Sequence, residues 1–348
     1  MMTEQKILAM VRPNILGLRP YSSARDEYSG ANKVFLDANE NPYGKEHNRY
    51  PDPRQQELKQ AFSNLKGIPP EQIFLGNGSD EGIDILIRVF CTPGKDNIVI
   101  AGPTYGMYEV SADINDVAVN RCDLTPDFQL DTQAVLDATN ESSRILFLCS
   151  PNNPTGNLMK ETDVRYLLEK FPGIVVVDEA YIDYTDTESW ASQLDKYPNL
   201  VVLQTMSKAW GLAAIRLGLG FASQKIIDIM NKVKPPYNIS QETQNIALRA
   251  MLQTEEFQTC IKNTIEERNS LIETLQGLPY VQKVFPTDAN FVLIRVTDAG
   301  KLYNHLISEG VIVRNRSGIT HCSSCLRITV GTKEENRILS EALKSFKS

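Results

Sequence analysis

The hydrophobic pattern of the first two thirds of the chain predicts an alternation of strands and helices. From about residue 32 to residue 222, short apolar runs rich in β-branched residues alternate with segments whose apolar residues recur at helical spacing. This order is typical of a mainly parallel sheet covered by helices on both faces. The predicted strands are 97–100, 145–149, 174–177, 200–204 and 217–221, and the predicted helices are 80–90, 161–170 and 224–233.

The pattern changes after Glu242, where helices become longer and strands more separated. This part predicts a smaller α+β domain. We expect a large domain over residues 31–245 and a small domain built from both chain ends, residues 1–30 and 246–348. In the C-terminal part, helices are predicted at 255–275, 302–308 and 333–346, and strands at 290–296, 311–314 and 326–330.

Composition and charge narrow the classes of function. The chain has 348 residues, of which 42% are hydrophobic, a length that favours two domains. Its net charge of −7 disfavours general attraction to nucleic acid. The first thirteen residues contain charges and a proline and no long apolar stretch, so we expect neither a signal peptide nor a membrane anchor. A cytoplasmic location is the resulting expectation.

Two of the six cysteines, Cys322 and Cys325, lie close together beside His321. A zinc or redox site is one interpretation, but a four-ligand zinc site normally needs a second pair of ligands. Cys325 also opens an apolar, strand-like run. We therefore predict two reduced cysteines at a loop-to-strand junction and no metal site.

Asp178 and Lys208 each follow an apolar predicted strand. Ligands gather at the carboxyl ends of parallel strands, so such positions are candidates for a binding site. A carboxylate at the end of a buried strand is unfavourable unless it faces a cation or hydrogen-bond donors. A lysine among small and apolar neighbours is a candidate for a lowered pKa and for imine chemistry. The alternatives are a helix-capping aspartate and a solvated loop lysine.

Two loops add weaker indications. Residues 76–81, Gly-Asn-Gly-Ser-Asp-Glu, precede a helical pattern, and backbone N–H groups there can surround an anion. Ser79 or Asp80 can equally be a simple helix cap. Residues 150–156, Ser-Pro-Asn-Asn-Pro-Thr-Gly, form a turn in which Asn153 can present its amide to a ligand, although a turn needs no function.

The order and spacing of these motifs resemble those of fold-type I aminotransferases, which use pyridoxal 5′-phosphate, and the resemblance extends over nearly the whole chain. It implies an α/β fold in which a large domain holds a mainly parallel seven-stranded sheet between helices, beside a smaller α+β domain. The motifs that carry it are Asn153-Pro154-Thr155-Gly156, Asp178-Glu179-Ala180-Tyr181, Ser207-Lys208 and Arg216.

Further motifs are similar to those of the histidinol-phosphate aminotransferase family. This resemblance implies a transaminase of histidine biosynthesis that interconverts imidazole-acetol phosphate plus L-glutamate with L-histidinol phosphate plus 2-oxoglutarate, by a ping-pong mechanism through pyridoxamine phosphate. The motifs are Arg19-Pro20-Tyr21, Asn39-Glu40-Asn41-Pro42, Arg49-Tyr50-Pro51-Asp52, Pro103-Thr104-Tyr105-Gly106 and Cys325-Leu326-Arg327-Ile328-Thr329-Val330-Gly331.

The resemblance implies a role for each cofactor residue. Lys208 would hold the cofactor as a Schiff base and then shuttle the proton at the substrate Cα. Asp178 would keep the pyridine nitrogen protonated, which makes the ring an electron sink. Asn153 and Tyr181 would donate to the phenolate oxygen, and Tyr105 would stack on the ring. The phosphate would be bound by Gly78, Ser79, Asp80, Ser207 and Arg216, with Tyr50 reaching in from the neighbouring subunit of a homodimer.

The substrate residues follow from the same resemblance. Arg327 would bind the carboxylate of glutamate or 2-oxoglutarate, and Arg314 and Tyr21 would bind the phosphate of histidinol phosphate. Arg314 is otherwise a surface arginine. Asn39 either touches the substrate or shapes its loop, and the direction of Arg316 is left open.

Three alternative functions remain open. One is an aminotransferase of the same fold that acts on aromatic or other amino acids. A second is a decarboxylase of a phosphorylated amino acid. The third is a non-catalytic binding protein, against which the complete lysine, aspartate and asparagine set argues.

Overall fold

The computed structural model describes residues 3–20 and 34–347. Within those ranges the helices are α1 Glu4–Met10, α2 Pro13–Leu16, α3 Gln56–Lys66, α4 Gly78–Phe90, α5 Met107–Ile114, α6 Thr132–Asp137, α7 Glu161–Lys170, α8 Gln224–Val233, α9 Gln241–Met251, α10 Thr254–Gln276, α11 Ala299–Ser308 and α12 Lys333–Ser345. The strands are β1 Ile73–Asn77, β2 Asn97–Gly102, β3 Ala118–Asp123, β4 Ser143–Cys149, β5 Ile174–Asp178, β6 Leu200–Thr205, β7 Leu217–Ala222, β8 Val281–Val284, β9 Phe291–Val296, β10 Arg314–Asn315 and β11 Cys325–Thr329.

Seven strands form the large sheet in the order β1-β7-β6-β5-β4-β2-β3. The pairs β2–β3, β2–β4, β4–β5 and β5–β6 are parallel, whereas β7 is antiparallel to both of its neighbours. Only β7 therefore runs in the opposite direction, and the carboxyl ends of the other six strands meet at one edge. The prediction of a mainly parallel seven-stranded sheet is confirmed.

Successive residues of the central strands pack into two different hydrophobic cores. Val175 and Val177 of β5 belong to one core, and Ile174 and Val176 belong to the other. Side chains alternate between the faces of a strand, so an unbroken apolar run fills both faces of a sheet. This explains why these strands were readable from the sequence.

Three strands were missing from the prediction, for physical reasons. β1 contains Gly76 and Asn77, which the sequence indicated as a loop before a helix. β3 is an edge strand whose residues are only partly buried, so its apolar pattern is weak. β8 is short and half-exposed.

The small sheet has four strands in the order β10-β11-β9-β8, all antiparallel, with α10, α11 and α12 contributing to its core. The strand predicted over residues 311–314 is displaced: β10 covers Arg314–Asn315 alone. Cys325 begins β11, as predicted for a loop-to-strand junction, and Cys322 and Cys325 are both buried and free.

The N-terminal segment packs on helices α4 and α8 of the large domain, which differs from its predicted place in the small domain. In the described part, residues 3–20, the side chains of Ile7, Val11 and Ile15 enter the core that also contains residues of α4 and α8. The backbone N–H of Arg12 donates to the carbonyl of Val89 at 3.0 Å. Ile7, Val11 and Ile15 form an apolar stripe at a spacing of four residues, and such a stripe is buried against another apolar surface. Here α4 and α8 provide that surface. The boundary after residue 245 stays a prediction.

None of the helices in the described ranges is both long and apolar enough to cross a membrane.

Candidate active site

A cavity of about 370 Å³ lies between the carboxyl edge of the large sheet and the small sheet. Residues that follow β1, β2, β4, β5 and β6 converge there because these strands are parallel. Arg216 joins them because it immediately precedes the reversed strand β7. The lining residues are Ser79, Asp80, Tyr105, Cys149, Asn153, Asp178, Ala180, Tyr181, Thr205, Ser207, Lys208, Arg216, Arg314, Arg316 and Arg327.

Asp178 ends β5 at the buried side of the cavity, with 2% of its surface exposed. The Tyr108 hydroxyl donates to Asp178 Oδ2 at 2.7 Å, and the Ala180 N–H donates to Oδ1 at 3.1 Å. Burial raises the pKa of Asp178 to about 6, although both hydrogen bonds oppose that shift. A cation or protonated nitrogen in the cavity would favour the charged carboxylate.

Lys208 follows β6 and opens onto the same cavity as Asp178. Its Nζ lies 5.8 Å from the centre of the Tyr181 ring. The surrounding protein lowers the pKa of Lys208, chiefly by burial and then by the charges of Arg327 and Arg216. An amine with a lowered pKa is more often unprotonated and hence nucleophilic.

The junction between β1 and α4 forms a pocket lined by Ser79 and Asp80, and the Gly78 N–H donates to the carbonyl of Arg216 at 2.8 Å. Helix α4 begins at Gly78, two residues earlier than predicted, and its N-cap is Asn77 rather than Ser79 or Asp80. Gly218 of β7 packs against this turn so closely that a Cβ there would lie 2.2 Å from the Ser79 nitrogen. The first N–H groups of a helix have no partner within the helix and can bind an anion.

Side chains complete this pocket. The Arg216 guanidinium donates to the Ser207 hydroxyl at 3.3 Å and lies 3.6 Å from Asp80 Oδ2. The Tyr105 hydroxyl donates to Asp80 Oδ1 at 3.1 Å. A hydroxyl, a guanidinium and helix N–H groups together suit a phosphate dianion.

Asn153 links the two ends of the cavity. Its amide nitrogen donates to the Tyr181 hydroxyl at 3.4 Å, and its amide oxygen accepts from the Arg327 guanidinium. Burial raises the pKa of Tyr181 above its ordinary value, so the phenol stays protonated and can donate.

Arginines occupy the wall opposite the sheet. Arg314 of β10 pairs directly with Arg327 of β11, and Arg316 follows two residues later. The Arg327 guanidinium also lies 5.1 Å from the centre of the Phe291 ring. Burial lowers the pKa of Arg327 and of Arg316 from the ordinary value, and the neighbouring guanidinium groups add to the shift.

Three of the predicted residues that the structure describes, Gly78, Tyr50 and Asn39, do not line this cavity, although Ser79 beside Gly78 does. Tyr50 lies outside it, is 50% exposed and stacks on Tyr237 with a centroid distance of 4.5 Å. Asn39 is exposed and does not line the cavity. Tyr21 falls outside the described residues.

Sequence reasoning missed Tyr108, Thr205 and Cys149. Tyr108 lies on the buried face of α5, where an aromatic residue is usually a core residue, so no local pattern identified it as a partner of Asp178. Thr205 ends β6 and its oxygen accepts from the Ser207 N–H at 3.1 Å. The sequence signal that could have identified Thr205 as a site residue was its position at the carboxyl end of a strand, two residues before Ser207.

The donors and acceptors of the cavity fit pyridoxal phosphate. The pocket at the start of α4 matches the phosphate, and the buried carboxylate of Asp178 matches a protonated ring nitrogen. Lys208 lines the same cavity and can react with the aldehyde. Among the described residues, no group of three or more histidine, cysteine, aspartate or glutamate side chains is arranged to hold a metal ion.

The model of the aminotransferase class I and II family matches residues 27–343, and the chain belongs to that family. Enzymes of this family depend in general on pyridoxal phosphate.

Particular relatives are more informative still. A histidinol-phosphate aminotransferase of Bacteroides fragilis is 54% identical over 338 residues, which cover 97% of this chain and 98% of the relative. One of Cytophaga hutchinsonii is 53% identical over 342 residues, again with 97% and 98% covered. The crystal structure of histidinol-phosphate aminotransferase from Sinorhizobium meliloti in complex with pyridoxal-5′-phosphate has a TM-score of 0.78 at 22% identity and covers 85% of this chain and 83% of that one. This likeness confirms the fold.

Proposed function

We propose that this chain is a pyridoxal-phosphate-dependent transaminase that interconverts imidazole-acetol phosphate plus L-glutamate with L-histidinol phosphate plus 2-oxoglutarate. One observation carries the proposal. A single cavity has a lysine and a buried carboxylate on its sheet side and arginines on its opposite side. The names of the relatives, at 53–54% identity over nearly the full chain, support the same substrates.

The cofactor would be held at both ends. The backbone of Gly78, Ser79 and Asp80, with the side chains of Ser207 and Arg216, would bind its phosphate. Asp178 would pair with the ring nitrogen, Asn153 and Tyr181 would donate to the ring oxygen, Tyr105 would stack on the ring, and Lys208 would bind the aldehyde carbon. When bound, the cofactor supplies a protonated aromatic ring that accepts negative charge from the substrate Cα.

Lys208 is the residue that moves the proton. Its lowered pKa lets Nζ accept a proton from the substrate Cα and deliver it to the former aldehyde carbon of the cofactor. Asp178 stays charged while it faces a protonated nitrogen, because the favourable interaction offsets its burial. The hydroxyl of Tyr108 assists by donating to the charged carboxylate.

The arginine side of the cavity would choose the substrate. The Arg327 guanidinium, held by Asn153, would bind the carboxylate of glutamate in two parallel hydrogen bonds. Histidinol phosphate bears a phosphorylated hydroxymethyl group instead of that carboxylate. Arg314 and Tyr21 would supply donors for it. Asn39, on its loop, would be a further substrate contact.

We further propose that the active unit is a homodimer in which Tyr50 reaches the phosphate pocket of the neighbouring subunit. Tyr50 lies outside the cavity of its own chain, which fits a role across an interface. Val34, Leu36 and Tyr43, on the same segment, are 86–94% exposed, and exposed apolar groups often mark an interface. A cytoplasmic location, with small molecules rather than nucleic acid or membrane as ligands, completes the proposal.

A panel of amino donors tests the substrate. Purified protein loaded with pyridoxal phosphate is assayed with 2-oxoglutarate and with histidinol phosphate, histidinol, phenylalanine or phosphothreonine as donor. We expect histidinol phosphate to give the highest kcat/KM, and parallel lines when both substrates are varied. A preference for phenylalanine would contradict the substrate, and release of carbon dioxide without an oxo-acid acceptor would indicate a decarboxylase.

The Lys208→Ala variant tests the chemistry. It should lose the absorbance of lysine-bound cofactor and at least about a thousandfold in kcat, because both the attachment and the proton transfer depend on Nζ. Lys170→Ala, an exposed lysine of α7, is the matched control and should keep both. If the wild-type protein is colourless and added pyridoxal phosphate produces no absorbance of lysine-bound cofactor, the result would favour the non-catalytic binding protein.

A further inference from the structure

Arg316 lies beside the two arginines already assigned to the substrate, and its position follows from the strand geometry. Arg314 and Arg327 are direct partners across β10 and β11. The backbone N–H of Arg316 donates to the carbonyl of Cys325 at 2.9 Å, which continues the pairing beyond β10. Residues two apart on an extended strand point to the same side. Accordingly, Arg314, Arg316 and Arg327 all line the cavity.

Among the described residues that line the cavity, none is an acidic partner of these arginines. Asp80 and Asp178 are the carboxylates among the lining residues, and both have partners on the sheet side. Asp80 accepts from Tyr105 and pairs with Arg216, and Asp178 accepts from Tyr108. Like charges on opposing strand positions repel each other, so the three guanidinium groups are unfavourable together unless an anion binds.

The side chain of Arg316 also lacks a hydrogen-bond partner where it needs one. Its Nε is buried and unbonded within the part of the chain that the structure describes. A buried donor without a partner is costly, and a partly buried cation is more so. Burial, with the charges of Arg327 and Arg314, lowers the pKa of this guanidinium, which reports the same unfavourable environment. An anionic ligand would supply both a hydrogen-bond acceptor and the missing negative charge.

The number of donors indicates which anion. A carboxylate carries one charge on two oxygens and is satisfied by one guanidinium in a bidentate pair. A phosphate monoester carries nearly two charges on three terminal oxygens and accepts from several donors. Glutamate and 2-oxoglutarate have a second carboxylate, but it lies at the far end of their carbon chain. At the position that the phosphorylated group shares with the first carboxylate, a third arginine is therefore redundant for glutamate and 2-oxoglutarate but useful for a phosphate.

We propose that Arg316 is a specificity residue that contacts the phosphate of the phosphorylated substrate and contributes little to binding of the carboxylate substrate. The proposal rests on the proposed function, because it assumes that one cavity accepts both kinds of anion in turn. It does not require Arg316 to take part in the chemical step.

The two half-reactions separate the two anions. Holoenzyme is mixed in a stopped-flow instrument with either histidinol phosphate or glutamate alone, and the change in cofactor absorbance is followed. For Arg316→Gln we expect the second-order rate constant with histidinol phosphate to fall about ten- to a hundredfold, the range for loss of a charged hydrogen bond. With glutamate the rate constant should change less than about threefold. Arg249→Gln, the same exchange at an exposed position of α9, should change neither.

A second measurement guards against a merely structural role. The melting temperature of Arg316→Gln holoenzyme without substrate should not fall, because the variant relieves repulsion and keeps the backbone bond to Cys325. Arg316→Lys retains the charge but loses Nε and the planar fork, so it should lose part of the preference for histidinol phosphate over histidinol. If Arg316→Gln does not fold, Arg316→Lys tests the proposal instead, through the ratio of activity with histidinol phosphate to activity with histidinol.

The results that would overturn the proposal differ from those that would overturn the function. Equal losses in both half-reactions, or an unchanged ratio between histidinol phosphate and histidinol, would exclude Arg316 as a phosphate contact. If wild-type enzyme itself does not prefer histidinol phosphate to histidinol or phenylalanine, the proposed substrate fails, whatever Arg316 does.

Discussion

Asp178 and Tyr108 form a buried pair whose behaviour depends on pH. Burial raises the pKa of Asp178 from 3.8 to about 6, and the Tyr108 hydroxyl limits that rise by donating to the charged form. In the unfolded chain the carboxyl loses its proton near its ordinary value, so the unfolded state binds fewer protons between that value and 6. The stability of the cofactor-free protein therefore falls as pH rises through this window.

Tyr108→Phe should increase this loss of stability. The hydroxyl bonds a neutral carboxyl at pH 5 and a carboxylate at pH 8. We expect the variant to lose about 0.5–1.5 kcal/mol at pH 5 and about 1.5–3 kcal/mol at pH 8, since bonds to charged groups are stronger. Urea unfolding of cofactor-free protein at both pH values, at one protein concentration, measures the difference. Tyr166→Phe, at an exposed position of α7, should show no such pH dependence, and a pH-independent loss in Tyr108→Phe would contradict the argument.

At the scale of elements, the start of α4 is shaped by its contact with β7. Gly218 of β7 lies against the backbone of Gly78 and Ser79, with no room for a side chain. The backbone at Gly78 has a positive φ of 71°, a conformation that glycine adopts readily. The N–H groups proposed to bind phosphate are thus positioned by a neighbouring strand.

Gly218→Ala should weaken cofactor binding by moving this turn. A Cβ would lie 2.2 Å from backbone atoms, which cannot rotate away as a side chain can. We expect at least about a tenfold rise in the dissociation constant of pyridoxal phosphate, in line with the 1–3 kcal/mol usual for overpacking. Titration of cofactor-free protein by absorbance measures it. Gly300→Ala in α11, where the nearest atom lies at 3.4 Å, should leave the affinity unchanged; equal affinity in both variants would mean that the turn does not hold the phosphate.

One folded chain does not bring every proposed cofactor residue to its own cavity. The cavity collects residues at the ends of five parallel strands, Arg216 just before β7 and arginines of the small domain, yet Tyr50 lies outside it. A hybrid dimer distinguishes a role of Tyr50 in its own subunit from a role in the partner.

Mixing Lys208→Ala subunits with Tyr50→Phe subunits should restore activity. In the hybrid, the site with intact Lys208 receives the intact Tyr50 of the other subunit, whereas the second site lacks both. If Tyr50 instead acts in its own subunit, each site of the hybrid carries one defect and no activity returns. Activity is measured after subunit exchange and compared with each variant alone, and wild type mixed with Lys208→Ala is the control for exchange.

Much of the large domain was readable from local patterns. β5 and β6 are unbroken apolar runs that end in polar residues, so the sequence indicated both strands and placed Asp178 and Lys208 at their ends. The cofactor residues other than Tyr50 were named through the resemblance. Apart from Gly78, which directly precedes the lining residue Ser79, these residues line one cavity.

Other features had no local pattern. The packing of residues 3–20 depends on which helical surfaces are available, and an apolar stripe does not specify its partner. Tyr108 resembles a core aromatic until its hydroxyl is seen at Asp178. The direction of Arg316 depends on its pairing with β11, which is set nine residues away at Cys325.

Strand periodicity and motif order are local properties of the chain, so the sequence alone predicted which residues would carry the chemistry and in which elements they lie. How these residues surround each other followed only from the tertiary structure. Segments distant in sequence bury Asp178 and Lys208 and thereby shift their pKa values. Contacts between distant segments also place Gly218 against Ser79 and bring the three arginines together. Burial and electrostatic interaction depend on distance in space, which no spacing along the chain specifies.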